Sequence, residues 1–119
     1  MKRIAFIDLG SNSVRFVIYE ISKTGSYRLI YQEKESVRLS ENMWGTHELT
    51  NEAMERSLRA LKGFVHMADA MEVDTIKAVA TAAVRLAKNG DAFIKAVKEL
   101  TGLNLECIAG EEEARLGFL

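Results

Sequence analysis

Three short segments carry the residue types that phosphate chemistry needs, each placed where an apolar run gives way to small or polar residues. The first is Asp8-Leu9-Gly10-Ser11-Asn12-Ser13. Gly10 lets backbone N–H groups approach oxygen atoms closely, Ser11, Asn12 and Ser13 add neutral donors, and Asp8 can hold a hydrated magnesium ion or orient a water. Arg15 falls on the same side of an extended strand as Ser13 and is placed to neutralise phosphate. The same string also fits a plain hairpin turn whose polar side chains serve only the backbone, and its position directly after an apolar strand favours the phosphate reading. The second segment is Thr81-Ala82-Ala83-Val84-Arg85, followed by Lys88-Asn89-Gly90. Residues just past the carboxyl end of a strand commonly line the ligand crevice of an α/β sheet, so Thr81 and Arg85 are candidates to face the first loop. A guanidinium can grip phosphate through two parallel bonds, although Arg85 reads equally well as a solvated helix charge. The third is Gly110-Glu111-Glu112-Glu113-Ala114-Arg115. Carboxylates at a helix start are stabilised by the macrodipole, and one near a phosphate can instead act as general base toward water. Residue type alone does not choose among the three glutamates.

Other catalytic classes find no support. His47 and His66 are too far apart and too poorly placed for a metal pair, there is no zinc spacing, and neither a GxxxxGK[ST] loop nor a serine-histidine-acid set is present. The lone Cys107 lies in an apolar run and is expected in the core, not as a reactive thiol.

The elements that must position these segments follow from hydrophobic period. Residues 3–7 are short, apolar and β-prone, residues 14–21 resume a β-rich pattern, and Lys23-Thr24-Gly25-Ser26 turns the chain into residues 27–33. Three antiparallel strands are predicted, the last prolonged toward residue 39. Residues 40–49 read as a loop, with Trp44 covering the edge of the core. Thr50 suits an N-cap with Glu52 in the first turn, and Met54, Leu58, Leu61, Val65 and Ala68, with Phe64 and Met71 beside them, form one helical stripe. Residues 75–80 return to a strand pattern and residues 81–85 turn out of it. A second helix over 91–100 stops at Gly102, a strand covers 103–109, and a helix opens at 111–119.

With 119 residues, 48% apolar and 28% charged, the chain has the balance of one ordinary globular domain. A net charge of -1 leaves no global positive field for nucleic acid or an acidic membrane, so a polyanion site must be local. The apolar residues 4–7 are too few for a signal peptide or a membrane span, and a cytoplasmic setting is expected.

The order βββαβαβα predicts a mixed five-stranded α/β sheet with flanking helices, and it resembles the half-domain of actin-like ATPases, of the ribonuclease H-like class. With Ile7-Asp8-Leu9-Gly10-Ser11-Asn12-Ser13, Val37-Arg38-Leu39, Thr81-Ala82-Ala83-Val84-Arg85 with Ala87-Lys88-Asn89, and Gly110-Glu111-Glu112-Glu113-Ala114-Arg115-Leu116 in this sequence order, the chain resembles the Ppx/GppA family. That family comprises exopolyphosphatases and guanosine-pentaphosphate phosphohydrolases. The resemblance implies a metal and water at Asp8, with Mg2+ as cofactor. It places phosphate against Gly10, Ser11, Asn12 and Ser13, with Arg15 and Thr81 beside them and Arg85 on the polyanion, and it makes Glu113 the catalytic glutamate. The implied substrates are inorganic polyphosphate or guanosine pentaphosphate, in a stringent-response setting, with a homodimeric parent left open. A second glycine-rich phosphate loop of that family does not occur in the sequence, so residues 1–119 are expected to be the N-terminal lobe of a longer enzyme and inactive alone. Two alternatives stay open: a sugar or acetate kinase of the same fold, against which the Glu-Ala-Arg segment argues, and a regulatory module that binds phosphate or nucleotide without turnover.

Overall fold

The computed structural model describes residues 2–108. The elements are β1 (Lys2–Leu9), β2 (Ser13–Ile21), β3 (Tyr27–Ser36), α1 (Asn51–Ala70), β4 (Thr75–Ala80), α2 (Ala82–Leu86), α3 (Gly90–Thr101) and β5 (Leu105–Cys107). They build the expected five-stranded mixed sheet, in the order β3-β2-β1-β4-β5. β1 and β3 run antiparallel to β2, whereas β4 runs parallel to both β1 and β5. One element differs from the expected order: residues 82–86 coil into the short helix α2 where only a turn was predicted. The helix expected at 111–119 lies outside the described residues.

Strand alternation sorts the side chains onto two faces. Ala5, Ile7 and Leu9 stand opposite Ile18, Phe16 and Val14, and this face is fully buried. α1 packs on it, with the Phe64 ring stacked on Phe16 at a centroid separation of 4.8 Å. On the other face Phe6 meets Tyr19 edge-on, and Tyr19 meets Tyr27.

α1 starts as its sequence dictates. The Thr50 hydroxyl accepts a bond from the Ala53 N–H at 3.1 Å, satisfying a donor that the helix itself leaves open. The stripe that faces the sheet is rotated from the predicted one. Ala53, Ser57, Ala60, Leu61, Phe64 and Ala68 are buried, while Met54, Leu58 and Val65 are half-buried. Small residues let the helix axis approach the strands, and Met54 and Leu58 line the groove between α1 and α3 together with Phe93. Period alone cannot see this, because alanine and serine score as weakly apolar or polar.

Two side chains depart from expectation. Trp44 is 57% exposed, and the edge of the core is closed instead by Met43 and Leu49. Cys107 is exposed on β5, an edge strand of the sheet, while Leu105 of that strand and Ile108 just past it are buried. His66 is exposed on α1. Among the described residues no helix is long and apolar enough to cross a membrane.

At the far end of the sheet, buried Glu20 ties strands together. It accepts from Arg28 at 2.8 Å and from the Arg3 Nε at 3.2 Å, and Arg3 also donates to the Met71 carbonyl at the end of α1. The Arg28 bond first, and then the Arg3 bond, hold the Glu20 carboxyl below its ordinary value. A depressed folded-state pKa stabilises the fold above the unfolded value of about 4.3, and that contribution is lost as pH falls through the folded value. Glu20→Gln should therefore flatten the acid limb of a stability-against-pH profile, with wild type and variant converging at the lowest pH. In chemical denaturation at neutral pH, Leu61→Ala should cost about 2 to 5 kcal/mol, since Leu61 is fully buried under α1.

Candidate phosphate site

Because β1 and β4 are parallel, their carboxyl ends emerge side by side, with Leu9 paired to Ala80 as the last rung. The next residue on each strand leads into a candidate segment. The Thr81 N–H continues the ladder by donating to the Leu9 carbonyl at 3.1 Å, and the Thr81 hydroxyl lies 3.5 Å from the same oxygen. Thr81 is buried and makes no side-chain cap on α2. The Gly10 turn closes over it: a Cβ on Gly10 would sit 3.3 Å from the Ser13 carbonyl and 3.9 Å from the Thr81 hydroxyl. The first two candidate segments thus meet at one edge of the sheet.

Inside the turn, the Gly10 N–H is bonded to the Ser13 carbonyl at 2.9 Å, so this amide serves the turn and is not available to a ligand. A side chain at this position would crowd the Ser13 carbonyl. The Ser11 and Asn12 carbonyls are held from behind. Ser40 N–H donates to Ser11, and Val37 and Arg38 N–H both donate to Asn12, at 2.8 to 3.0 Å. A trans peptide carries its N–H opposite its C=O, so pinning the Ser11 carbonyl turns the Asn12 N–H the other way. Neither the Ser11 nor the Asn12 N–H donates to another group among the described residues. Together with the exposed Asn12 amide, these are donors of the kind that cradle an oxyanion.

Asp8 is half-buried near the end of β1, with its Oδ1 enclosed, and its register partners are Arg15 on β2 and Val79 on β4. Ser13 and Arg15 do share a face, with buried Val14 pointing to the opposite side. Arg15 is exposed beside Lys34 of β3. Arg85 is exposed in the last turn of α2, and its guanidinium makes no hydrogen bond or ion pair among the described residues. Glu113, with Glu111 and Glu112, lies outside the described residues.

Two supporting residues were given no role of their own by the sequence. Arg56 of α1 donates to the carbonyls of Val37 and Arg38, behind the turn. Asn89 uses its amide in both directions on Leu49, accepting from its N–H at 2.8 Å and donating to its carbonyl at 3.0 Å. Asn89 stands at the N-cap of α3 yet makes no capping bond, because its side chain is committed to Leu49. Its place in Lys88-Asn89-Gly90 after the second segment, and in the family-like element Ala87-Lys88-Asn89, marked it in the sequence without assigning this contact.

The sequence profile described as the Ppx/GppA phosphatase family matches residues 17–119. The chain belongs to this family. It is 40% identical over 115 residues to a guanosine-5'-triphosphate,3'-diphosphate pyrophosphatase of Pseudoalteromonas atlantica. That alignment covers 97% of this chain and 23% of the relative. The crystal structure of an Aquifex aeolicus Ppx/GppA family member superposes with a TM-score of 0.93 and 36% identity, covering 98% of this chain and 38% of that one. An exopolyphosphatase from Cytophaga hutchinsonii gives a TM-score of 0.92 and 32% identity, over 98% of this chain and 37% of its own. The chain therefore spans about a quarter to two-fifths of these Ppx/GppA relatives. The actin-like architecture expected from the element order is the Ppx/GppA fold.

In this Ppx/GppA family chain, Asn89 fastens Leu49, near the end of the loop between β3 and α1, to the start of α3. Leu49 is buried, so Asn89→Ala leaves a backbone donor and acceptor without partners. The loss expected in urea unfolding is about 1 to 3 kcal/mol, with the largest gain in amide exchange at Leu49.

Proposed function

We propose that the full-length protein hydrolyses the terminal phosphoanhydride bond of inorganic polyphosphate or of guanosine pentaphosphate, in the cytoplasm and in a stringent-response setting. The observation that carries the reading is the convergence of the Gly10 turn and Thr81 at the carboxyl edge of β1 and β4, with the Asn12 N–H turned away from its backing. The names of the relatives, one a guanosine nucleotide pyrophosphatase and one an exopolyphosphatase, supply the two substrate classes.

In this reading Ser11, Asn12 and Ser13 bind the non-bridging oxygens of the terminal phosphoryl group, while Arg15, Thr81 and Arg85 contribute further donors around the polyanion. Such transfers depend on positioning and on stabilising charge, with little covalent work for the protein. Asp8 is the described carboxylate placed to hold Mg2+. No cluster of three or more metal-ligating side chains occurs among the described residues, and one carboxylate plus substrate phosphates is a usual way of holding this ion. When bound, the ion offsets negative charge on the phosphoryl oxygens. Glu113 takes the proton of the attacking water as its oxygen bonds to phosphorus, and the bridging oxygen leaves with the bonding pair.

The test is phosphate release from polyphosphate, guanosine pentaphosphate and ATP by the full-length protein. Release from either of the first two supports the reading, and turnover only with ATP and a small acceptor would make the protein a kinase. Binding without any turnover would make it a regulatory module. For the base, Glu113→Gln should keep the thermal transition and lower turnover by roughly 10² to 10⁴. Glu111→Gln and Glu112→Gln should stay near the parental rate, since successive helical residues point roughly 100° apart. Loss of turnover in Glu112→Gln with Glu113→Gln active would shift the base by one residue.

A further inference from the structure

The segment that pins the phosphate turn is itself held by one side chain. Arg56 projects from α1 and donates through Nε to the Val37 carbonyl at 2.9 Å and through a terminal nitrogen to the Arg38 carbonyl at 3.3 Å. The same nitrogen donates to Glu41 Oε2 at 2.6 Å, and the Arg56 side chain is only 26% exposed. These peptides flank Arg38, whose φ of 46° lies in the left-handed region that side chains rarely adopt. A non-glycine residue keeps that conformation only where its surroundings over-determine it. Here the surroundings are Arg56 on the carbonyl side and the Asn12 oxygen on the amide side, since Val37 and Arg38 N–H both converge on Asn12.

We infer that Arg56 is a positioning residue for phosphoryl transfer: it fixes the 37–41 segment, whose Ser40 N–H holds the Ser11 carbonyl and thereby keeps the Asn12 N–H of the same peptide aimed at the substrate, while Val37 and Arg38 N–H hold the turn at the Asn12 carbonyl. The inference rests on the phosphohydrolase reading and deepens it, because it assigns part of the site's preorganisation to a helix residue that does not touch substrate. Donors fixed before substrate arrives stabilise the transition state without reorganising, so loosening them lowers turnover more than it weakens binding. Lysine presents a single point of donation in place of the planar fork, and it cannot serve both carbonyls and Glu41 in the same geometry.

The experiment uses Arg56→Met, Arg56→Lys and Glu41→Gln in the full-length protein, with steady-state phosphate release and peptide-resolved hydrogen exchange measured in parallel. Arg56→Met should lower kcat by roughly 10- to 100-fold, the scale of a small misplacement of catalytic groups, with KM within about threefold. Exchange over residues 37–41 should accelerate at least about tenfold while the interiors of β1 and α1 stay parental. Arg56→Lys should recover part of kcat, and Glu41→Gln should show the same pattern more weakly, which keeps the test open if Arg56→Met does not fold. A lowered melting temperature with parental kcat per folded molecule, or unchanged exchange over 37–41, overturns the inference. If the parental protein releases no phosphate from either polyanion, the phosphohydrolase reading fails, whereas the exchange comparison still decides whether Arg56 holds the turn.

Discussion

The position of β1 between an antiparallel and a parallel neighbour is the constraint on which the rest depends. Its antiparallel bond to β2 requires a tight turn directly after Leu9, and its parallel bond to β4 requires that β4 end at the same edge. The bond from the Thr81 N–H to the Leu9 carbonyl extends that parallel rung one residue past the strand. Two chain segments more than 60 residues apart are thus delivered to one edge by backbone geometry before any functional side chain takes part. Right-handed crossover then fixes where the helices lie, because the chain leaving the β3 edge must cross one face of the sheet to reach β4.

That crossing works because the covered face is built from small residues where the helices come closest. Ala5, Ala78 and Ala80 on the strands and Ala53, Ala60 and Ala68 on α1 are all buried, and the larger Phe16, Leu61 and Phe64 fill the space between them. Close approach is most severe between the two short connections of the β4–β5 crossover. A Cβ on Gly90 would lie 2.1 Å from the Val84 carbonyl oxygen, so only glycine lets α3 begin against the back of α2. α2 carries Arg85 and follows Thr81 directly. The packing that sets its position therefore also sets where these two residues stand at the carboxyl end of β4.

Local rules made the strands, the Thr50 cap and the stop at Gly102 legible in the sequence, because each rests on interactions within a few residues. The mixed sheet was legible too, since hairpins first and crossovers afterwards leave few topologies. What was not legible required partners distant in sequence. Trp44 reads as a core residue by type, yet Met43 and Leu49 occupy the space. Cys107 follows an apolar run, but as part of the outermost strand it stays exposed. α2 is a single short coil whose formation depends on docking against α3, not on its own period. Arg56 and Asn89 look like ordinary helix residues until the loop of residues 37–50 is placed, because their partners are backbone carbonyls and amides that carry no sequence signal.

The phosphate turn shows how this distinction bears on chemistry. A glycine in such a loop invites the reading that its own amide meets the ligand, but the Gly10 N–H closes the turn on Ser13. The glycine instead keeps the turn compact against Thr81, and the donors left over belong to Ser11 and Asn12. The direction of the Asn12 N–H is set by the Ser40 N–H, which holds the Ser11 carbonyl of the same peptide. Val37 and Arg38 N–H hold the neighbouring Asn12 carbonyl, and Arg56 holds the carbonyls flanking Arg38. If the loop binds the phosphoryl group as proposed above, that capacity is a property of the layer behind it as much as of its own residues. Substitutions in that layer would then act through the direction of the Asn12 N–H, without removing a group proposed to touch phosphate.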